Sequence, residues 1–314
     1  MSRRKSKVIS LAEAAGLVQD GQTVLIGGFI YHNKPMALIR ELIKKGIKDL
    51  TLVGCLHGAI DMDLLIGLGA IKKLMVPYLG FEHLGLAPCY RRFAEAGQLD
   101  IWECDEIHII SAMEAAAADL PCMLTRAGVG SDLLKLNPDL KPFTDPFRGE
   151  PLVLVPAIKP DIALFHAPKG DLYGNIHHLG SPFADLLAAE ATNRCGGKVV
   201  VCVDEIIAPE EVWQDPRKTT IPHPLVDYVV EVPYGAHPCS CHGLYGTDEA
   251  HMQEYISMGG KPESFQDYLT RYIYSVTSQE EYLERVGGIK KLTELKRSIS
   301  MEEYLRGKIM ARQN

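Results

Sequence analysis

The chain has 314 residues and a formal net charge of −7, with 33 Lys and Arg against 40 Asp and Glu. That length allows one large α/β domain or two small ones with a sizeable core, and the acidic balance, with no basic stripe interleaved with aromatics, argues against nucleic-acid binding. No window reaches transmembrane length, and the eight cysteines (Cys55, Cys89, Cys104, Cys122, Cys195, Cys202, Cys239, Cys241) lie mostly inside apolar runs, as the reduced thiols of a cytoplasmic enzyme do.

The basic start Arg3-Arg4-Lys5-Lys7 is followed by Ser10-Leu11-Ala12-Glu13, a capping box that opens a helix, and not by the apolar core of a secretory signal. Strand-like runs then recur at Val24–Gly27, Leu50–Val53, Leu74–Val76, Leu152–Val155, Ile162–Phe165 and Val199–Val203. Helical segments separate many of them. Met36–Lys45 follows Pro35 and stops at Gly46; Pro182–Asn193 follows Ser181 as a cap, with Pro first. Short apolar runs alternating with helices imply crossover connections, so the expected fold is α/β, an open and mostly parallel sheet with helices on both faces. Ligands then belong at the carboxyl ends of the strands. Residues 132–150, with Asn137-Pro138, Pro142 and Pro146, read as an excursion from the sheet and not as a domain boundary, and no internal repeat is visible. Residues 1–314 are read as one domain. From about residue 247 to 314 it continues as a helical extension suited to packing on a partner (Glu249–Ser257, Glu263–Ile273, Gln279–Val286), ending in a basic amphipathic tail over residues 290–312.

The stretch Asp20-Gly21-Gln22-Thr23-Val24-Leu25-Ile26-Gly27-Gly28-Phe29, closed by Lys34-Pro35, runs an apolar strand into a glycine turn. Such a turn lets backbone N–H groups approach an oxyanion or a phosphate, although Gly-Gly after a strand is also ordinary loop chemistry. The spacing resembles the first signature of the family I coenzyme A transferases. Asn33 stands where that signature usually has a third glycine, and Asn tolerates left-handed backbone angles. The resemblance extends from near residue 7 to about residue 295, through Lys48-Asp49-Leu50-Thr51, Pro160–Ala167, Asp171 with Gly174-Asn175, Tyr234-Gly235-Ala236-His237-Pro238 and Gly243-Leu244-Tyr245. It is greatest to A subunits of the glutaconate type.

In that family a glutamate attacks the acyl-CoA carbonyl and then carries CoA as a thioester; it lies in a partner B subunit, within a Ser-Glu-Asn-Gly type motif. This sequence has no such motif. No glutamate stands between Glu41 and Glu82, and the turn after the second strand reads Gly54-Cys55-Leu56-His57-Gly58. The resemblance therefore implies the A half of a heteromer partnered by a B-type CoA-transferase subunit, with Gly27, Gly28 and Phe29 at the acyl site; Lys34 is expected to meet the acid group of a dicarboxylate, although a lysine ahead of proline equally suits a solvated loop charge. The resemblance implies no metal or redox cofactor, CoA being part of the substrate.

Asp105-Glu106, before the helical run Ile107–Ala118, stands where transferase A subunits carry glutamine. With Arg126-Ala127-Gly128-Val129-Gly130-Ser131 it resembles the A subunit of the ring-opening CoA hydrolase of actinobacterial steroid catabolism. There Glu106 would activate a water that attacks a ring carbonyl, with Arg126 among the donors to the enolate left by cleavage. The plainer alternative is two acids favoured in a first helical turn by the helix dipole. A third reading is a non-catalytic acyl-CoA-binding subunit. Other groups carry less: His237-Pro238-Cys239-Ser240-Cys241-His242 has poor metal spacing, His166 suits a satisfied strand histidine, Asp171, Asn175 and His177 suit a turn, and Cys55 with His57 lacks an orienting third group.

Overall fold

A computed structural model of the chain describes residues 5–296. In chain order the helices that matter below are α1 (Leu11–Leu17), α2 (Met36–Lys45), α3 (Ile60–Gly67), α4 (Pro88–Glu95), α5 (Glu106–Ala117), α6 (Asp185–Arg194), α7 (Glu249–Gly259), α8 (Pro262–Leu269) and α9 (Gln279–Arg285). The strands of the two larger sheets are β1 (Thr23–Ile26), β2 (Leu50–Gly54), β3 (Ile71–Met75), β4 (Asp100–Ile101), β5 (Cys122–Thr125), β6 (Lys141–Thr144), β7 (Pro151–Pro156), β8 (Ile162–Asp171), β9 (Ile176–His177), β10 (Lys198–Ile207), β11 (Thr219–Ile221) and β12 (Tyr228–Glu231), and His57–Gly58 pairs separately with Tyr78–Leu79. Seven strands pair in parallel in the order β12-β10-β8-β1-β2-β3-β4, and β9 and β11 extend β8 in antiparallel fashion, which completes a nine-stranded sheet.

The sheet is buried on both faces because successive strand residues serve different cores. Val24, Ile26, Ile162 and Leu164 face a core shared with α1, α2 and α3, whereas Leu25, Ala163 and Phe165 face one shared with α5 and α6. From β1 the chain steps to β2, β3 and β4 on one side; β8, β10 and β12 lie on the other. Strand order therefore reverses between β1 and β8, and a crevice at such a reversal, at the carboxyl ends of the strands, is where an open α/β sheet takes its ligands. Gly27 follows β1 at that place, its N–H bonded to the Leu164 carbonyl of β8.

Local expectations fare unevenly. Ser10 and Glu13 form the capping box, and α2 ends on Gly46 in the left-handed conformation at φ 72°. The Leu152–Val155 run does not join the main sheet: as β7 it sits between β5 and β6 in a separate antiparallel sheet built from the excursion, with Val153 and Val155 packed among α5 residues. Nor does a helix open at Pro182. Ser181 accepts from the Phe183 N–H, Phe183 turns to φ 50°, and the helix starts only at Asp185. Residues 288–296 are helical, and the remainder of the expected basic tail lies outside the described residues.

The C-terminal helices pack back on this chain's own first core: Met252, Tyr255, Phe265, Tyr268, Leu269 and Tyr282 are all buried in it. Polar ties fix them there. The Arg40 guanidinium of α2 lies 3.6 Å from the Tyr282 ring centre and donates to Gln279, and Tyr255 donates to Asp63 of α3 at 2.6 Å. Asp63 also accepts from the N–H groups of Cys89 and Tyr90 at the start of α4. Burial pushes its carboxyl up to about 6, against these hydrogen bonds, which oppose the shift.

A carboxyl raised in the folded state binds its proton there more tightly than in the unfolded chain, so its contribution to stability falls as pH rises from about 4 to about 6. Holding that proton up to about pH 6 in the folded state costs about 3 kcal/mol of stability across the window. Urea unfolding should accordingly show wild-type stability declining through that range more steeply than in Asp63→Asn; parallel pH profiles would show that Asp63 does not titrate there.

Candidate active site

The glycine turn is tightly determined. A Cβ on Gly27 would lie 2.1 Å from the Phe165 ring, and Gly28 (φ 73°) would place one 2.4 Å from the His32 carbonyl, so both positions need glycine. Asn33, at φ 54°, supplies the left-handed geometry expected of it. Ile30 does so too, at φ 51°, which is unfavourable for a β-branched residue and persists only where surroundings impose it. Its N–H is held by the His57 carbonyl.

Every N–H of the turn is already used. Gly27 donates to Leu164, Gly28 to the buried Asp185 carboxylate at 2.8 Å, and Phe29 to the His32 carbonyl. In this structure the turn is thus a rigid edge and not an open set of oxyanion donors, a departure from the expectation for Gly27 and Gly28. Asp185 and His178 behind it have fully buried side chains, with Oδ2 and Nε2 3.6 Å apart.

Lys34 departs further from expectation. Its side chain is fully buried; the ammonium donates to the carbonyls of Gly27 at 3.0 Å and His57 at 2.8 Å and lies 3.2 Å from the equally buried Asp61 carboxylate. The last pair is close but not aligned as a hydrogen bond, since Asp61 Oδ2 lacks a hydrogen-bond partner. An ammonium enclosed in this way clamps β1, the loop after β2 and the start of α3 together, and does not reach out to a substrate acid.

The front of the edge, half-buried except at the exposed Tyr78, is aromatic. Phe29 stacks on Phe183 at 5.1 Å between ring centres and lies 4.6 Å from His57, which lies 5.3 Å from Tyr78. Into this front α5 delivers Glu106. The two acids at its start divide the work: Asp105 is the cap, accepting from the N–H groups of Ile107 and His108, while the Glu106 carboxylate, 44% exposed, lies 3.2 Å from His57 Nε2. Glu106 is therefore not needed to close the helix end, and it joins the glycine edge through His57. Arg126 does not join it; its largely exposed guanidinium pairs with Glu150.

The remaining candidates settle into structure. Burial and the neighbouring Asp185 push the Cys55 thiol well above its ordinary range, unlike an activated nucleophile. Asp171 closes its own turn by accepting from Tyr173 and Asn175, and His177 lies 3.2 Å from the Thr219 hydroxyl. His237 bridges Tyr282 and Asp248. Cys241 instead comes near His166 and Asp204, with ligand-type atoms within 4.8 Å of one another. Asp204 is occupied as a clasp, accepting from His166, the Tyr245 hydroxyl and the Tyr234 N–H.

Residues 8–232, which hold the strand-order reversal and the glycine turn after β1, match the coenzyme A transferase family. The chain belongs to that family. It is 33% identical over 303 residues to the A subunit of glutaconate CoA-transferase from Acidaminococcus fermentans, covering 91% of this chain and 93% of that one. The crystal structure of that coenzyme A transferase superposes with a TM-score of 0.86 at 32% identity, over 93% of this chain and 96% of the other. Identity is also 33%, over 308 residues (94% and 99%), to the cholesterol ring-cleaving hydrolase IpdA subunit of Rhodococcus jostii. A longer Archaeoglobus fulgidus relative, an uncharacterized protein, is 36% identical over 302 residues, 95% of this chain and 66% of that one. Among the described residues, no helix of this transferase-family chain is long and apolar enough to cross a membrane.

Because Lys34 is enclosed, Lys34→Met should leave Asp61 buried beside an apolar group and destabilise the fold by about 3–5 kcal/mol. Lys34→Met combined with Asp61→Leu should recover much of that loss in urea unfolding. If Lys34→Met instead leaves stability unchanged and raises the KM for dicarboxylic acids alone, the ammonium reaches substrate after all.

Proposed function

We propose that the chain is the A subunit of a heteromeric CoA-transferase of glutaconate type, moving CoA between an acyl-CoA and a carboxylic acid, with the thioester-carrying glutamate on a separate B chain. The observation that carries this reading is the turn after β2, Gly54-Cys55-Leu56-His57-Gly58, which offers no carboxylate where the family's nucleophile would stand. In the partner, a glutamate would add to the thioester carbonyl, expelling CoA thiolate and leaving a mixed anhydride; the thiolate would return to the glutamyl carbonyl and free the first acid. The acceptor acid reverses both steps. This chain would supply the rigid glycine edge and the aromatic wall of Phe29, Phe183 and His57 against which the acyl group is oriented. The Acidaminococcus relative, named as one lettered half of a transferase, supports a B-type partner. CoA enters as part of the substrate, with no metal or redox cofactor, and the eight free thiols, five of them buried, suit the cytoplasm.

A second reading is favoured by the placement of Glu106, freed from capping by Asp105 and half-exposed at the same edge. Here Glu106 takes a proton from water, the hydroxide adds to a ring ketone of a cyclic acyl-CoA, and the adjacent carbon–carbon bond breaks to an enolate that is reprotonated. The relative named a ring-cleaving hydrolase supports it.

The test is co-expression with a B-type subunit, incubation with glutaconyl-CoA and acetate, borohydride reduction and intact mass of both chains. Transfer predicts one reduced glutamate on the B chain and none here. Unchanged masses, with water-dependent loss of a cyclic keto acyl-CoA that disappears in Glu106→Gln, would replace transfer by hydrolysis; binding of both esters without turnover would leave only a non-catalytic acyl-CoA-binding role.

A further inference from the structure

The loop after β2 brings His57 against Glu106, and every feature of that histidine suits a fixed partner for a more mobile carboxylate. The ring is held between Phe29 and Tyr78, and its own carbonyl receives both the Lys34 ammonium and the Ile30 N–H, so the residue is fastened from two sides. Glu106, at the first turn of α5, is more exposed than His57, by 44% to 18%. The contact therefore joins a rigid imidazole to a side chain that has rotamers to lose.

The charged groups facing His57 are Glu106 from α5, Lys34 from the loop after β1 and Glu82 from the loop after β3; burial, aided by Lys34, outweighs the two glutamates and holds the imidazole below its ordinary value. It is consequently neutral at pH 7, with one N–H. Nδ1 is buried without a partner, and a buried donor without an acceptor is the costlier kind of orphan. This network assigns the proton to Nε2, which faces Glu106 Oε2 at 3.2 Å.

We propose that His57 is a positioning residue for Glu106: its Nε2–H donates to the carboxylate and aims it across the glycine edge at the acyl site. The inference rests on the hydrolytic reading of Glu106, since only there does the direction of that carboxylate govern a reacting proton. One carboxylate oxygen is held by the imidazole, and the other is left to take the proton of water.

The experiment uses the complex of this chain with its B-type partner. Its substrate is the CoA thioester of oxocyclohexanecarboxylic acid with the ketone beside the carboxyl-bearing carbon, and water-dependent ring opening is followed in wild type, Glu106→Gln, His57→Phe and His57→Gln. Glu106→Gln should abolish turnover. His57→Phe keeps the ring packing but removes the donor, and should lower kcat about tenfold with little change in KM, as expected for one hydrogen bond to a charged group; His57→Gln, which restores an N–H, should recover part of it. In His57 ring NMR spectra, Glu106→Gln should depress the imidazole further, because Glu106 is the larger of the two groups that raise it. No ring opening by wild type, or turnover that survives Glu106→Gln, would remove the hydrolytic reading and this proposal with it. Loss in Glu106→Gln with an unchanged kcat in His57→Phe would keep that reading and overturn the proposal, as would a folded His57→Gln no faster than His57→Phe.

Discussion

The buried Lys34 ammonium is the constraint on which the glycine edge depends. A cation withdrawn from water must be surrounded by oxygen, and here two backbone carbonyls and the Asp61 carboxylate surround it. Those oxygens come from the end of β1, the loop after β2 and the first turn of α3, so satisfying one charge fixes three segments at once. The left-handed Ile30, an unfavourable conformation by itself, is tolerable only inside such a frame.

This frame separates the site into a sealed back and an open front. The side chains of Lys34, Asp61, Asp185 and His178 form the back, all fully enclosed. Glu106, His57, Phe29 and Phe183 form the front. The back has the character of architecture, and the front holds the side chains on which the proposed chemistry rests. Activity belongs to sites and not to folds, so a change in a few front side chains can alter a reaction while the architecture stays. Two relatives, each 33% identical to this chain, are named one for a transferase and the other for a hydrolase, so overall likeness does not choose the reaction.

The fold was largely legible in the sequence where local chemistry is strong. Ser10 with Glu13, Gly46 after α2 and the apolar strand runs each carry their own structural instruction, and Asn33 was readable as a left-handed substitute for glycine. Of the candidate site, the glycine turn after a strand was legible, and the partners of its side chains much less so. Lysine ahead of proline reads as a solvated loop charge or a ligand for acids, and nothing near it in sequence announces Asp61. The His57–Glu106 contact joins two elements through the tertiary fold alone, and only the spare acid beside the Asp105 cap hinted at it. The run at Leu152 to Val155 misled because a short apolar segment does not state which sheet it joins.

Asp63 receives the Tyr255 hydroxyl across 192 positions of sequence, and Arg40 is covered by Tyr282. A ribosome therefore releases α2 and α3 long before the groups that seal them exist. During that interval the apolar side of the early strands and helices is without its permanent cover, and contacts so distant in sequence form late and slowly. The C-terminal helices thus act in time as well as in space: their arrival is the step at which the nascent chain can stop presenting an unfinished core to its surroundings.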